Sequence, residues 1–427
     1  MSENQSLTRA DRQLLLEDYR RIRSESEAIA APITAEDAQI QSMSDVSPAK
    51  WHLGHTTWFF ETFLLSAEES YQPYREELKI LFNSYYNAIG EQHPRSQRGF
   101  VSRPKLDEVI DYRHHVDALV RDFLRSASET RFAESAGVIL VGLNHEQQHQ
   151  ELMMTDILHV LWSNPLKPAY RDSERPASPL PAPLAWHGHD EGIYWIGAEK
   201  DSFAYDNEHL RHRQFVHAFE LASRVVTNSE YMEFVAGGGY ESPELWLSDG
   251  WATVRAENWC APLYWERRHG SWWLMTLHGM KPVDPNAPVC HVSYYEADAF
   301  ARWSGARLPK ELEWEVAAAD IEIGGNLQES DYVVALGADE GGLVGEPTQM
   351  FGDVWEWTQS AYLPYPGYRM SDGALGEYNG KFMCNQMVLR GGSFATPTDH
   401  LRKSYRNFFY PHSRWQFTGL RLARDLA

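Results

Sequence analysis

The run NHEQQHQE, residues 144–151, decides how the first part of this chain folds and what that fold can hold. His145 and His149 stand four residues apart inside an apolar-periodic stretch. On a helix, both imidazoles then project from one face about a turn apart, a spacing that can bind a metal ion. A third candidate, His55, lies in WHLGHTTWFFE, residues 51–61. There Trp51, His55, Trp58 and Phe59 fall at i, i+4, i+7 and i+8, the buried stripe of another helix. The sequence therefore predicts three inward-facing imidazoles on two helices.

The surrounding pattern supplies more helices. Residues 7 to about 30 carry Leu15, Leu16, Tyr19 and Ile22 at helical spacing, and Ser47-Pro48 reads as an N-cap followed by proline at the first helical position. That second helix is expected to run to about Ser66. A third opens at Ser102-Arg-Pro104 and carries Val109, Tyr112, Val116, Leu119, Phe123 and Leu124; a fourth carries Val138, Val141, His145, His149, Leu152 and Leu161. Four amphipathic helices predict a four-helix bundle, whose core takes metal ligands from facing helices.

The stretch from Tyr71 to Arg103 is far longer than the ~2–8 residues usual between bundle helices, and such loops are commonly functional. It holds FNSYYNAIGEQHPRSQR, residues 82–98, dense in groups that can bind a polar ligand beside a metal. A surface loop with solvated arginines is the plainer alternative. PASPLPAP, residues 176–183, reads as a stiff extended linker. It divides the chain into a helical domain over 1–175 and a second domain over 184–427. Thirteen of the sixteen tryptophans follow Pro183, among Gly-containing turns and short strands, which predicts an irregular α+β domain. Helices are expected near 294–303 and 310–316.

The net charge of −21 argues against a nucleic-acid partner. No apolar run is long enough to span a membrane, and the first thirty residues lack a signal peptide's apolar core, so the reading is a soluble cytoplasmic protein. Cys260, Cys290 and Cys384 are far apart and form no C-x-x-C pair; they are expected to be reduced and mostly buried.

His-Glu-x-x-His also fits a zinc metalloprotease, with Glu146 as general base. No metzincin-type third histidine follows, and Glu151 falls about 240° around the helix from His145, off the ligand face. A three-histidine face instead leaves about half of an octahedral shell open for substrates and oxygen. A thiol bound there would lose its proton, and Tyr85 and Tyr86 could supply a proton or hydrogen atom near bound oxygen. For these tyrosines, aromatic packing over the bundle mouth is the alternative.

Several segments together resemble the EgtB-type ergothioneine sulfoxide synthases, a family joining a DinB-like bundle to a domain like formylglycine-generating enzymes, with a C-type-lectin-like fold. They are WHLGH at 51–55, FNSYYN at 82–87, GLNHEQQH at 142–149, GDVWEWT at 352–358, LRGGS at 389–393, YRNFF at 405–409, RWQF at 414–417 and RLA at 421–423. The resemblance implies a mononuclear iron(II) enzyme that uses O2 to join a thiol to C2 of the imidazole of hercynine, the trimethylated betaine of histidine, giving a sulfoxide. Carried over by position, it makes His55, His145 and His149 the iron ligands and excludes His52. Gln148 would hydrogen-bond the hercynine imidazole, and Asn407 would hold its carboxylate or ammonium end beside Phe408. Tyr85 and Tyr86 would face the iron. Arg95 and Arg98 would clamp the thiol substrate's carboxylate, a task suited to a planar fork of donors.

Two departures refine this. Members that use γ-glutamylcysteine carry Asp where this chain has Phe409 and Arg where it has Ser413, so free cysteine is the expected thiol. The segment from Leu401 to Ala423 lacks the cysteine pair of formylglycine-generating enzymes, which makes the second domain a substrate-binding scaffold. Its tryptophans suit a quaternary ammonium. A selenosugar donor (selenoneine synthesis), an ovothiol-type attack at imidazole C5 and a non-catalytic binding module are the alternatives. Ovothiol-type chains usually carry an extra methyltransferase domain, and these 427 residues show none, so that option is expected to rank lower.

Overall fold

The computed structural model describes residues 9–68, 71–84, 86–174, 176–199, 203–338, 346–370, 376 and 378–426. The chain divides into two compact units, the first built on Met1–Tyr170 and the second on Arg171–Ser371 with Tyr378–Ala427.

The first unit is helical: α1 (Arg9–Ala30), α2 (Ala49–Phe63), the short α3 (Leu78–Phe82), α4 (Leu106–Ser126) and α5 (Glu129–Ser163). Helix α2 sits between α4 and α5, and α1 covers the opposite side of the same two helices. The expected stripe Leu15, Leu16, Tyr19 and Ile22 on α1 is buried; on α4 Val109, Tyr112, Val116 and Leu124 are buried as expected, while Leu119 and Phe123 are only half-buried and Val120 is buried in their place. On α5 the deepest line runs through Phe132, Ala136, Ile139, Leu143, Gln150, Met153 and Ile157, while Val138, Val141 and Leu152 are only half-buried. The helix is wrapped on two sides, so no single stripe describes it. Pro48 is the N-cap of α2 rather than its first helical residue, and Ser47 gives its backbone N–H to the carboxylate of Asp156 instead of capping with its side chain.

The long connection has structure of its own. Besides α3 it contains a 3-10 turn over Arg95–Phe100, and it is tied to α2 along its length. Trp51 Nε1 donates to the Leu81 carbonyl at 3.1 Å, and the buried Lys50 donates to the carbonyls of Val101 and Pro104 at 2.7 and 2.9 Å. No described helix is long and apolar enough to cross a membrane.

The second unit is α+β. Strands β1 (Trp186–His189), β2 (Gly192–Ile196), β3 (His212–Val216) and β4 (Phe219–Val225) lead into α6 (Asn228–Ala236) and α7 (Ser248–Glu257). The meander β5 (Trp265–Arg268), β6 (Ser271–Thr276) and β7 (Gly279–Pro282) precedes α8 (Tyr294–Trp303) and α9 (Glu311–Ala317). The chain closes with β8 (Trp355–Ala361), β9 (Met387–Arg390), β10 (Asn407–Phe409), β11 (Thr418–Gly419) and β12 (Arg421–Asp425). One sheet has the order β1-β4-β12 and another β10-β9-β8-β11, with small sheets β2-β3 and β5-β6-β7 beside them. Residues 176–183 run along this unit: Ser178 and Ala182 bond to Asp284, Gly337 and Arg224.

The motif residues of the second unit make its core. Glu356 accepts from Arg421 and from Trp314 Nε1, and Glu311 and Glu315 accept from Arg390 and Arg406. Trp314, Trp355 and Trp357 are buried as packing. Gly391 has φ 98°, and a Cβ there would come within 2.8 Å of the Met350 carbonyl, so glycine is required. Of the cysteines only Cys290 is buried; Cys260 and Cys384 are exposed, contrary to expectation, because they fall in turns rather than on strand or helix interiors.

In the bundle, Gly142 lets α5 approach α2, since a Cβ would lie 2.6 Å from the Phe60 ring. Alanine normally strengthens a helix by ~1 kcal/mol over glycine, but overpacking costs about 1–3 kcal/mol, so the clash decides the sign. Gly142→Ala is expected to lower stability in urea unfolding; a gain would show that the α2–α5 contact gives way freely.

Candidate metal centre

Helix α2 carries His55 and α5 carries His145 and His149, and their ligand atoms all lie within 4.8 Å of one another. His55 and His145 are buried and His149 is half-buried. His55 Nδ1 faces the Phe82 carbonyl at 2.6 Å. A carbonyl only accepts, so Nδ1 carries the hydrogen and Nε2 presents its lone pair. That Nε2 lies 3.2 Å from Nε2 of His145. Nδ1 of His149 is engaged with His52 at 2.8 Å, which leaves its Nε2 for the cluster. Trp51 and Trp58 stack on the two faces of the His55 ring, at 4.6 and 5.6 Å between centroids.

Burial keeps these rings neutral. Desolvation, reinforced by the neighbouring histidines, holds His55 and His149 well below the usual imidazole range, and desolvation brings His145 down to about 3. Converging neutral imidazole nitrogens are the donor set that divalent iron, zinc, copper or nickel accept, so the residues fit a metal ion.

Behind the triad lies a buried ionic cluster that the helical pattern did not announce. Burial alone would raise Glu146, but Arg113 and Arg23 outweigh it and hold the carboxylate at about 2. Arg23 Nη1 donates to it at 2.7 Å, Arg113 donates to its other oxygen, and Ser26 Oγ adds a bond at 2.7 Å. Arg23 also donates to Asp117 at 2.7 Å. With no solvent-exposed surface and two guanidiniums on it, Glu146 is not a general base, and the metalloprotease reading fails on that ground. Arg23 continues the Tyr19 stripe at i+4 and Arg113 the Val109 stripe at i+4, and a charge on a buried stripe was the available signal.

Gln148 is half-buried beside His149 in sequence. Tyr86 is fully buried, with its ring 5.6 Å from Trp58 and 5.1 Å from Phe63. Its loop is closed by Asn83, which accepts from Tyr86 N–H and donates to the Tyr86 carbonyl, both at 3.2 Å. Tyr85 lies outside the described residues. Arg95 and Arg98 are eclipsed on the 3-10 turn and both reach residues 45–47. Arg95 is exposed and donates to the Asp45 carbonyl. Arg98 is buried, lies 3.4 Å over Trp51 and donates to Ser47 Oγ and Ser84 Oγ. In the second unit, Asn407 and Phe408 belong to β10; Phe408 stacks on Tyr362 at 4.0 Å and gives its N–H to Asn407 Oδ1.

Comparison with known proteins bears on this arrangement. Residues 190–342 and 342–426 match the sulfatase-modifying factor enzyme 1-like domain, and residues 18–153 match the DinB superfamily. A hercynine oxygenase of Mycolicibacterium thermoresistibile is 32 % identical, over 92 % of this chain and 91 % of that protein. The chain belongs to the hercynine oxygenase family. Another hercynine oxygenase, from Mycobacterium tuberculosis, is 31 % identical over 92 % of this chain and 94 % of that protein. A formylglycine-generating enzyme of Streptomyces coelicolor is 26 % identical over 53 % of this chain and 84 % of that protein. In this hercynine oxygenase relative, then, a bundle bearing the histidines is joined to a domain of sulfatase-modifying-factor type, as the motifs predict.

Two measurements probe the centre. Removing Glu146 takes the shared carboxylate from two buried guanidiniums and leaves Arg23 with Asp117 and Arg113 with Glu27, so Glu146→Ala is expected to cost about 3 kcal/mol in urea unfolding. The three imidazoles bind a proton near pH 6.5 when unfolded but stay neutral in the fold, His145 down to about 3. The unfolded chain therefore holds more protons in that window, and the stability of metal-free protein falls as pH drops through it. The Tm of metal-free protein is expected to decrease from about pH 7 to about pH 5, and to decrease less in His145→Gln.

Proposed function

We propose that this chain is an iron(II)-dependent sulfoxide synthase that joins the sulfur of cysteine to C2 of the hercynine imidazole in ergothioneine biosynthesis. The observation that carries the reading is the convergence of His55, His145 and His149, all held neutral, in a chain of the hercynine oxygenase family. The reaction balances without another oxidant: thiol, imidazole C–H and O2 give the carbon–sulfur bond, one sulfoxide oxygen and one water. When bound, iron supplies the electron chemistry with O2 and acidifies the thiol.

The remaining work falls to the protein, which holds the reactants together and delivers a proton. Arg95 and Arg98 are the donors proposed for the cysteine carboxylate, Gln148 for the hercynine imidazole, and Asn407 with Phe408 for the betaine end. Tyr85 or Tyr86 is proposed as the proton or hydrogen donor. Two observations support free cysteine over a γ-glutamyl thiol: Phe409 contacts the Trp415 ring and Ser413 is buried, so neither offers a charge to the extra ammonium and carboxylate.

Anaerobic iron-loaded protein mixed with hercynine and cysteine and then given oxygen is expected to yield the mass of the cysteine–hercynine sulfoxide. Hercynine with γ-glutamylcysteine should react far more slowly. His149→Ala is expected to lose iron and activity together, and an unchanged iron content would refute the ligand set. Arg95→Ala is expected to raise the KM for cysteine about tenfold or more with little change in kcat, the mark of lost ground-state binding.

A further inference from the structure

We infer that His52 and Asp156, which the ligand assignment leaves out, are positioning residues that fix the tautomer and orientation of His149; this rests on the ligand set proposed above. His52 stands on α2 three residues before His55, and Asp156 on α5 two turns after His149, and both are buried, at 3 % and 4 % exposure. Nδ1 of His52 lies 2.8 Å from Nδ1 of His149, and Nε2 of His52 lies 3.0 Å from Oδ2 of Asp156. Oδ2 of Asp156 also accepts the Ser47 N–H at 2.7 Å, at the entrance to α2, where the helix dipole favours a negative group.

The direction of each bond follows from what the atoms can do. A carboxylate accepting a backbone N–H is an acceptor for His52 as well, so Nε2 of His52 carries that ring's hydrogen. Its Nδ1 is then a lone pair, and the hydrogen between the two Nδ1 atoms belongs to His149. That leaves Nε2 of His149 as a lone pair facing His55 and His145. With both rings neutral and Asp156 ionised, any other arrangement sets two lone pairs or two hydrogens against each other at 2.8 or 3.0 Å in a buried site. A ligand imidazole that donates from its outer nitrogen is oriented and made more basic, usually by a carboxylate directly. Here a second imidazole is inserted, and it carries the influence of Asp156 from one helix to the other and back.

The test uses the full chain, stripped of metal and titrated with Co(II) against a competing chelator, with the visible absorption of the bound ion as a second readout. His52→Leu and Asp156→Asn are expected to weaken Co(II) binding by about 10–100-fold and to shift the absorption bands. His52→Asn, whose Oδ1 replaces the accepting Nδ1, should recover part of the loss. Circular dichroism of the metal-free variants identifies a misfolded one; should His52→Leu be misfolded, Asp156→Asn and His52→Asn decide. Affinity within about threefold of the parent and unchanged bands in folded variants, with His149→Ala unable to bind, would overturn the inference and leave the ligand set standing. Parent-like binding by His149→Ala would overturn the ligand set, and the inference with it.

Discussion

Three imidazoles kept uncharged in the interior of a helical bundle are the constraint on which the first unit depends. A protonated His55 or His149 would face the other rings and the Arg98 guanidinium, so burial and repulsion both select the free base, and at His145 burial outweighs the pull of Glu146. The free base is also the form that binds a metal ion. One arrangement thus serves two ends: the core excludes charge at the triad, and the triad stays ready for a cation.

The charges the core does contain are gathered one layer away. Glu146 neighbours His145 in sequence yet lies about 100° around α5 from it, where Arg23 from α1 and Arg113 from α4 meet it. Three helices are cross-linked at that point, and the fourth, α2, contributes the hydroxyls of Thr56 and Thr57. Such a cluster adds little net energy over apolar packing, but it is costly to assemble wrongly, because a misplaced helix would leave a buried ion alone. It therefore penalises a shift in the register of the helices that carry the triad.

Much of this was legible in the residues. The HxxxH spacing and the WHLGH segment put three rings on facing helices, and the motifs after residue 350 carried the family resemblance of the second unit without saying that they form its core. The long connection was harder to read. Spacing alone cannot say that a 3-10 turn will lay Arg98 against Trp51 while Arg95 remains at the surface, since this depends on hydrogen bonds with residues 41–47 that no local periodicity encodes. His52 was set aside as a ligand, and its partnership with Asp156 spans two helices more than a hundred residues apart in sequence. Tryptophans that composition suggested for a binding pocket turned out, at positions 314, 355 and 357, to be interior packing.

The His55 ring is clamped between two indoles and tied to the Phe82 carbonyl, contacts that the protein supplies from its own side chains and backbone. Small zinc modules are unfolded until their metal arrives, because the ion supplies the cohesion that the chain lacks. This bundle derives its cohesion elsewhere, so uptake can follow folding as a separate event. The entropy of arranging the first ligand is already spent before the cation enters, and selectivity among cations then falls to coordination geometry and cellular supply rather than to the folding reaction.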